Sequence, residues 1–597
     1  MPAVLCPHGH WANGRFYEVN DPGVKELLAI GAERFEAAAR NHMQARCVQL
    51  ARMGCVVFQY DMIGYADSVQ IPFEVAHKFR TQRPEMNGNS RWGLFSPQAE
   101  SRFQSVMGLQ TWNSIRAVDF LVSLPDVDPD RLAITGASGG GTQTFVLAAL
   151  DDRIDLSIPA VMVSTAMQGG CTCENASGLR IGTGNVEIAA VFAPKPMGMT
   201  AADDWTKEMT TKGYPELQAL YRLMGAKGNV ALWSNTHFKH NYNHVNRTSM
   251  YGWVNTHFKL GMETPVLERD FHRLSRKEMS VWNEMHPAPS SGPEVELKLT
   301  KWLDEDHRKN LEALRKDRSH YLETLERGLD IVFGRNAQSA GKVEWEIHDK
   351  IRRDGHLEMN GFIRNLSHDE TVPVSFLYPE DWNGTTILLV SRQGKAGAFV
   401  KAGDGYKLSP MARKLVEGGS TVVAMDLFMT GEFLADGKQI QTAPRVENPR
   451  EFAGYTHGYN DSLGASRVHD ILSVLALVRN HERPSKKVGL VAMDGLAHVA
   501  AGAIAQDGKV DWAVLDTKGF RFGEVPDIRS VDFVPGAACF DDLPGLLAKA
   551  SGTALWLAGE SNQTFAPFEG VRTTPISFSK ESGKKQIEEV LSWIDAN

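Results

Sequence analysis

The segment Leu132-Ala133-Ile134-Thr135-Gly136-Ala137-Ser138-Gly139-Gly140-Gly141 joins an apolar run to a G-x-S-x-G motif, and a helical stretch from Thr142 to Leu150 follows. That order suits a nucleophile. A serine on a sharp strand-to-helix turn presents its hydroxyl, and residues without Cβ let strand and helix approach closely around it. No lysine follows the glycines and no G-x-G-x-x-G spacing is met, which disfavours a phosphate loop. A serine hydroxyl needs a base, and the base needs an orienting acid, which on such a turn come later in the order acid, then base. Asp203-Asp204-Trp205-Thr206 follows an apolar run ending near Met199, and His237 to His244 follows another at Asn229 to Trp233. Asp203 and Asp204 compete as the acid, and His237, His240, His244 and His257 as the base. Upstream, Pro7-His8-Gly9-His10-Trp11 closes the first strand, where a His-Gly loop gives one backbone N–H to an oxyanion and Gly139 gives the second. The oxyanion hole is therefore placed at His10 and Gly139. Together these parts equip the chain for attack on an acyl carbon, and that chemistry requires no cofactor.

Positioning these groups takes a mostly parallel sheet covered by helices. From residue 1 to about 262 short apolar runs alternate with amphipathic stretches, the pattern of such a sheet. Strands are expected at Ala3 to Cys6, Cys55 to Tyr60, Arg131 to Thr135, Leu156 to Met162, Pro196 to Met199 and Asn229 to Trp233. The helix between the second and third carries Trp112, Ile115, Val118 and Val122 at helical spacing, which predicts that they form its buried face. Both candidate sets then fall on loops at the carboxyl ends of strands, where parallel sheets build their sites. A strand at Ala3 predicts that the chain starts inside a fold, with leading strands missing.

After a linker-like HPAPSSGP at 286–293 and a charged helix from Glu294 to Leu329, the alternation resumes with a hairpin, Val343 to His348 and His356 to Asn365. Strands follow near Val372, Thr386 to Val390 and Thr421 to Met425. Gly108 precedes Ser138 by the same distance as Gly464 precedes Asp494, so the second half is expected to duplicate the first. The fold class expected is α/β, as tandem domains. Residues 1–262 form the catalytic one, 263–340 a linker and charged helix, and 341–597 a degenerate copy. That copy is expected to be catalytically silent. Its counterpart of the nucleophile falls on Asp494, Ala492 and Leu496 replace the glycines, Arg392-Gln393-Gly394 replaces the His-Gly loop, and His498 is the last histidine of the chain.

At 597 residues the chain exceeds one hydrophobic core. Its formal charge of -8, with lysine and arginine scattered, gives no footprint for nucleic acid or an anionic membrane. No run of 18 apolar residues spans a membrane, and the first residues carry no signal-peptide pattern. Six cysteines are too few for a disulfide framework. Cys171, Cys173 and Glu174 are ligand types, but two cysteines one residue apart, with no second pair, predict loop packing and no metal. Trp11 and Trp205 adjoin the candidate groups and are candidates for stacking on a substrate ring.

The stretches Trp112 to Asp119 (WNSIRAVD), Val127 to Gly141 (VDPDRLAITGASGGG), Gly170 to Asn175 (GCTCEN), Asp204-Trp205-Thr206 and His240-Asn241-Tyr242-Asn243 carry a resemblance. Over residues 3 to 260 the chain resembles the acetylxylan-esterase-like branch of the α/β-hydrolases, related to dienelactone hydrolase and prolyl oligopeptidase folds. In that pattern the D-W-T aspartate is the triad acid and the H-N-Y-N histidine the base, which implies Asp204 and His240 beside Ser138. The resemblance also implies a carbohydrate ester as substrate. Glucuronoyl esterases and prolyl-oligopeptidase-like peptidases stand as alternatives, as does an inactive carbohydrate-binding homologue. Related glucuronoyl esterases carry an arginine directly after the nucleophile, where Gly139 stands here.

Overall fold

The computed structural model describes residues 1–78, 82–403, 405–444, 452–507 and 509–597. It divides into two compact units whose segments interleave along the chain: residues 1–81, 104–299 and 449–459 make the first, and 82–103, 300–448 and 460–597 the second.

In the first unit six strands, β1 (Ala3–Leu5), β2 (Val56–Phe58), β3 (Leu132–Ala137), β4 (Leu156–Ala160), β5 (Met197–Ala201) and β6 (Val230–Ser234), form one sheet in the order β2-β1-β3-β4-β5-β6. Every neighbouring pair is parallel. Helices cover both faces, which explains why β1, β3 and β4 are buried along their whole length and mostly apolar. Ala3, Leu5 and Ile134 turn to one side, onto Val118 and Leu121 of the helix Val106–Ser123 and Phe145 of the helix Gly139–Leu150. Val4, Ala133 and Ile158 turn to the other, onto Leu50 of the helix His42–Arg52 and Met250, Val254 and Phe258 of the helix His244–Phe258. All six expected strands are present, with ends shifted by one or two residues. Of the expected face of Val106–Ser123, Val118 is buried and Ile115 and Val122 pack against the core, and Trp112 departs from it. Trp112 is exposed and lies under the Arg116 guanidinium, while Met107, Gln110, Ser114, Ala117 and Leu121 face inward. Polar Gln110 and Ser114 belong to the buried stripe because they hydrogen-bond there, Gln110 to the Ile63 N–H and Ser114 to Gln143, which an apolar count overlooks.

The second unit carries the helices Pro293–Leu314, most of it, and Arg318–Phe333, followed by strands β7 (Val343–Arg353), β8 (His356–Asn365), β9 (Glu370–Pro379) and β10 (Thr385–Ser391). A small hairpin, β11 (Phe399–Ala402) and β12 (Gly405–Leu408), precedes β13 (Thr421–Met425), β14 (Lys487–Asp494), β15 (Trp512–Asp516), β16 (Ala554–Ala558) and β17 (Ile576–Ser579). The main sheet has nine strands in the order β17-β16-β15-β14-β10-β13-β9-β8-β7, with β7, β8 and β9 antiparallel to their neighbours. Its parallel part, β13-β10-β14-β15-β16-β17, repeats the strand order of the first unit.

Helix starts refine the overlay of the two halves. The helices Val106–Ser123 and Leu463–Asn480, matched from their first residues, set Gly108 against Ala465, which places Gly495 opposite Ser138. Backbone conformation agrees, since φ is 58° at Ser138 and 74° at Gly495. The position corresponding to Ser138 is thus Gly495, one residue beyond the expected Asp494.

Candidate active site

Ser138 stands between β3 and the helix Gly139–Leu150 with φ 58° and ψ −128°, a strained conformation for a residue with a side chain. The strain is held by packing too close for any Cβ nearby. A Cβ at Gly136 would lie 2.5 Å from the Gly140 carbonyl oxygen, and one at Gly140 would lie 2.7 Å from that of Pro7. The Ser138 N–H donates to the Ala160 carbonyl at 3.2 Å, which ties the turn to β4. As the first helical residue, Gly139 has an N–H with no acceptor inside the helix.

Asp204 and His240 meet at the ends of β5 and β6. His240 Nδ1 lies 2.8 Å from Asp204 Oδ2, and Asp204 Oδ1 accepts from the Thr206 N–H at 2.7 Å and its hydroxyl at 2.5 Å. Burial raises the carboxyl pKa, but the bonds from His240 and Thr206 outweigh it and hold Asp204 below the usual carboxylate range. Asp203 points elsewhere, to an exposed ion pair with Lys239. His240 Nε2 is buried and without a hydrogen-bond partner among the described residues. It lines, with Ser138, a cavity of about 560 Å³. Trp11 stacks on the His240 ring at 6.1 Å between centroids, and Trp205 packs at 4.5 Å. Both indoles line the same cavity.

The loop bearing His240 is braced from below. The Tyr242 hydroxyl lies 2.5 Å from Thr135 Oγ1 of β3, and the Tyr242 carbonyl accepts from Arg247 Nη1 at 2.7 Å. Arg247 is fully buried and pairs with Glu33 at 2.7 Å and Glu268 at 2.6 Å. His244 belongs to this brace through Glu268, His257 packs on Trp253, and His237 is exposed against Phe238. Only His240, of the four candidate histidines, meets an aspartate at the cavity.

His10 enters the cavity wall by its side chain as well as its backbone. Its Nε2 lies 3.1 Å from Cys173 Sγ, and a Cβ on Gly139 would come within 2.7 Å of its Cε1. The imidazole therefore occupies the space that any side chain after Ser138 would need. The expectation that Cys171 and Cys173 lack ligating company does not hold. His10, His77, Cys171 and Cys173 place ring nitrogens and sulfurs within 4.8 Å of one another, because the fold gathers three loops that sequence spacing keeps apart. Cys171 is held far down, to about 2, by bonds from Cys173, His10 and His77, and Cys173 is pushed well above the usual thiol range by burial and that thiolate. Burial would lower His10, but Cys171 and Glu174 raise it to about 9. His77 stands alone in sequence and gave no signal. A further contribution comes from residues 452–459, within the first unit, where the Tyr459 hydroxyl donates to Asn175 Oδ1 at 2.7 Å and the Arg180 N–H to the Gly458 carbonyl at 2.7 Å.

The chain is similar to known proteins over part of its length. Residues 59–209 match the family model described as glucuronyl esterase, fungi. A protein of Bacillus subtilis (strain 168) described as "Putative hydrolase YtaP" is 41% identical over 157 residues, which is 26% of this chain and 42% of that protein. The chain thus spans less than half the length of that relative. Among solved structures, Methylesterase BT1017 aligns with 27% identity and a TM-score of 0.35, covering 48% of this chain and 57% of that one. Acetyl Xylan Esterase 1 from Thermoanaerobacterium sp. JW/SL YS485 aligns with 11% identity and a TM-score of 0.30, covering 45% and 92%. The chain's own strand order makes it α/β, with a parallel six-stranded sheet in the first unit and a mixed nine-stranded sheet in the second.

Proposed function

We propose that the protein is a carboxylic-ester hydrolase acting on acylated carbohydrate, with Ser138 as nucleophile, His240 as general base and acid, and Asp204 as the residue that orients the imidazole. The observation that carries this reading is the 2.8 Å bond from His240 to Asp204, which leaves Nε2 of the same ring unpartnered on the cavity that Ser138 lines. Asp204 fixes the proton on Nδ1, so Nε2 is the free base for the Ser138 hydroxyl. Attack on the ester carbonyl forms a tetrahedral oxyanion, for which the Gly139 N–H and the backbone of the His10 loop are the donors. Return of the proton from Nε2 releases the alcohol, and water activated by the same nitrogen resolves the acyl-enzyme. Trp11 and Trp205 offer flat apolar faces beside the reacting centre, the surface a sugar ring stacks on.

The family-model match favours a second reading, a glucuronoyl ester as substrate. Against it stands Gly139, since the His10 ring fills the space that a larger side chain in that position would take. The discriminating assay sets an acetylated xylo-oligosaccharide, a methyl glucuronoyl ester and a prolyl peptide side by side. Release of acetate with no release from the other two is expected. Cleavage of the peptide without esterase activity would sink the proposal. We propose further that residues 341–597 form a degenerate copy without catalysis of its own, supported by glycine at position 495 where the first unit has its serine.

A further inference from the structure

We propose that His10, His77, Cys171 and Cys173 bind one zinc ion, held by four protein ligands, which clamps together three loops beside Ser138. Their ligating atoms all lie within 4.8 Å of one another. A tetrahedral zinc with bonds of about 2.1 Å to nitrogen and 2.3 Å to sulfur sets its ligands about 3.4–3.8 Å apart. His10 Nε2 stands 3.1 Å from Cys173 Sγ, and His77 Nδ1 stands 3.5 Å from Cys171 Sγ, so these two pairs lie within about half an ångström of that spacing. Two thiolates with two imidazoles select zinc among common biological cations, because calcium and magnesium require oxygen.

The surroundings are those of a built site. His77 Nε2 bonds to the Ile63 carbonyl, which fixes the tautomer with Nδ1 bare toward the cysteines. The Thr172 hydroxyl, between the two cysteines in sequence, donates to the Ala76 carbonyl at 2.6 Å and fastens the cysteine loop to the end of the helix that delivers His77. Asn175 donates to the carbonyls of Gly169 and Cys171, at 3.1 and 2.8 Å, and closes that loop on itself. Glu174 is spent on the Gly170 N–H and the Thr142 hydroxyl, so it is not a competing ligand. Cys171 and Cys173 are buried, and no disulfide joins them.

A full protein shell leaves no open position for water or substrate, which marks a structural ion. Its effect on the cleft passes through His10. With the imidazole pinned to zinc and lying against Gly139, the backbone of residues 8–11 is held at the elbow of Ser138. His10, His77 and the cysteine loop are then positioning residues for the cavity wall.

The test reads metal, not turnover, so its outcome is separable from that of the ester-hydrolase reading. The full chain, purified without chelator, is analysed by inductively coupled plasma mass spectrometry, and apo protein is refilled with cobalt(II). About one zinc per chain is expected. Refilling should give the intense visible bands of a tetrahedral site and a thiolate-to-cobalt charge-transfer band. Ser138→Ala should keep its zinc, while Cys171→Ser with Cys173→Ser should lose at least about nine-tenths of it. Since the double variant removes two buried groups, His77→Ala, whose ring is only half-buried, serves as the second variant, with circular dichroism as the check on folding. It should bind zinc at least about tenfold more weakly. Zinc content equal in wild type and both variants would overturn the proposal. So would wild-type protein that binds neither metal while both thiols alkylate freely, or a mass showing a Cys171–Cys173 disulfide.

Discussion

Asp204→Asn tests the reading of the site at its most discriminating point, because Asp203 beside it provides an internal control. The Asp204 side chain is 5% exposed, with Oδ1 occupied by the Thr206 N–H and hydroxyl and Oδ2 by His240 Nδ1. In the asparagine variant the oxygen stays with Thr206, since an NH₂ group facing a backbone N–H would leave two donors opposed. The NH₂ then faces His240 and makes Nδ1 an acceptor, so the ring proton moves to Nε2, the atom required as base. Loss of the correct tautomer in a Ser-His-Asp site costs about 10⁴ in kcat, or about 5 kcal/mol of barrier. Asp203→Asn breaks only a pair in which Lys239 is 86% exposed and Asp203 40%. Such pairs contribute little, so turnover should stay within about threefold of wild type. The assay is kcat/KM on a chromogenic aryl acetate, with thermal melts to show that both variants are folded. Equal losses, or a larger loss in Asp203→Asn, would refute the assignment of the acid.

Ser138→Ala should fold and lose at least about three orders of magnitude in ester turnover, and a fluorophosphonate should label wild type once per chain and this variant not at all. A variant retaining more than a tenth of the activity would exclude Ser138 as nucleophile. Arg247→Met strands the buried carboxylates of Glu33 and Glu268 and should cost about 3–5 kcal/mol in a denaturant melt. Burial alone would raise Glu268, but Arg247 holds it well below the usual carboxylate range. A group with a depressed folded pKa stabilises above its unfolded pKa, near about 4.3 for glutamate, and that contribution is lost as pH falls further. Wild-type stability should therefore fall steeply below about pH 4 and that of Arg247→Met less so; parallel profiles would contradict the linkage. Asp494→Ala should leave ester turnover within about threefold of wild type, and Ser138→Ala should show no turnover of haloalkanes or epoxides. Any such turnover that Asp494→Ala abolishes would show a second active centre.

The elbow and the six strands of the first sheet were legible because buried parallel strands are short, mostly apolar runs, and because glycines at positions 136 and 140 are forced by contact with Pro7 and with each other. Asp204 and His240 could be singled out only through the D-W-T and H-N-Y-N motifs. Nothing in spacing alone separates Asp204 from Asp203 or His240 from three other histidines, since the choice depends on which way each side chain turns at a strand end. The gathering of His10, His77, Cys171 and Cys173 was hidden for a similar reason. Metal patterns in sequence rest on paired ligands close together, whereas this set is assembled by three connections of one sheet. The Asp494 overlay failed by one residue because helix spacing was counted from two glycines at different helical positions, Gly108 third in its helix and Gly464 second.

That single-residue shift changes what the second half means. With Asp494 at the elbow, a carboxylate nucleophile would have to be weighed on the absence of a later histidine alone. With Gly495 there, the strained position has no side chain at all, and a Cβ on it would lie 2.7 Å from Arg392 Nε. Asp494 accepts from the Ser391 hydroxyl at 2.9 Å, across the register of β10 and β14. The histidine that follows, His498, is buried, stacks on Phe520 at 4.2 Å and spends its Nε2 on Asp532, which Arg392 also binds. An imidazole and a carboxylate thus meet in this unit too, but with the base atom spent on Asp532 and glycine where the first unit has Ser138. The strand order needs only apolar faces and compatible turns, so it does not depend on the chemistry of the elbow, and likeness of fold between the two halves carries no argument for likeness of function.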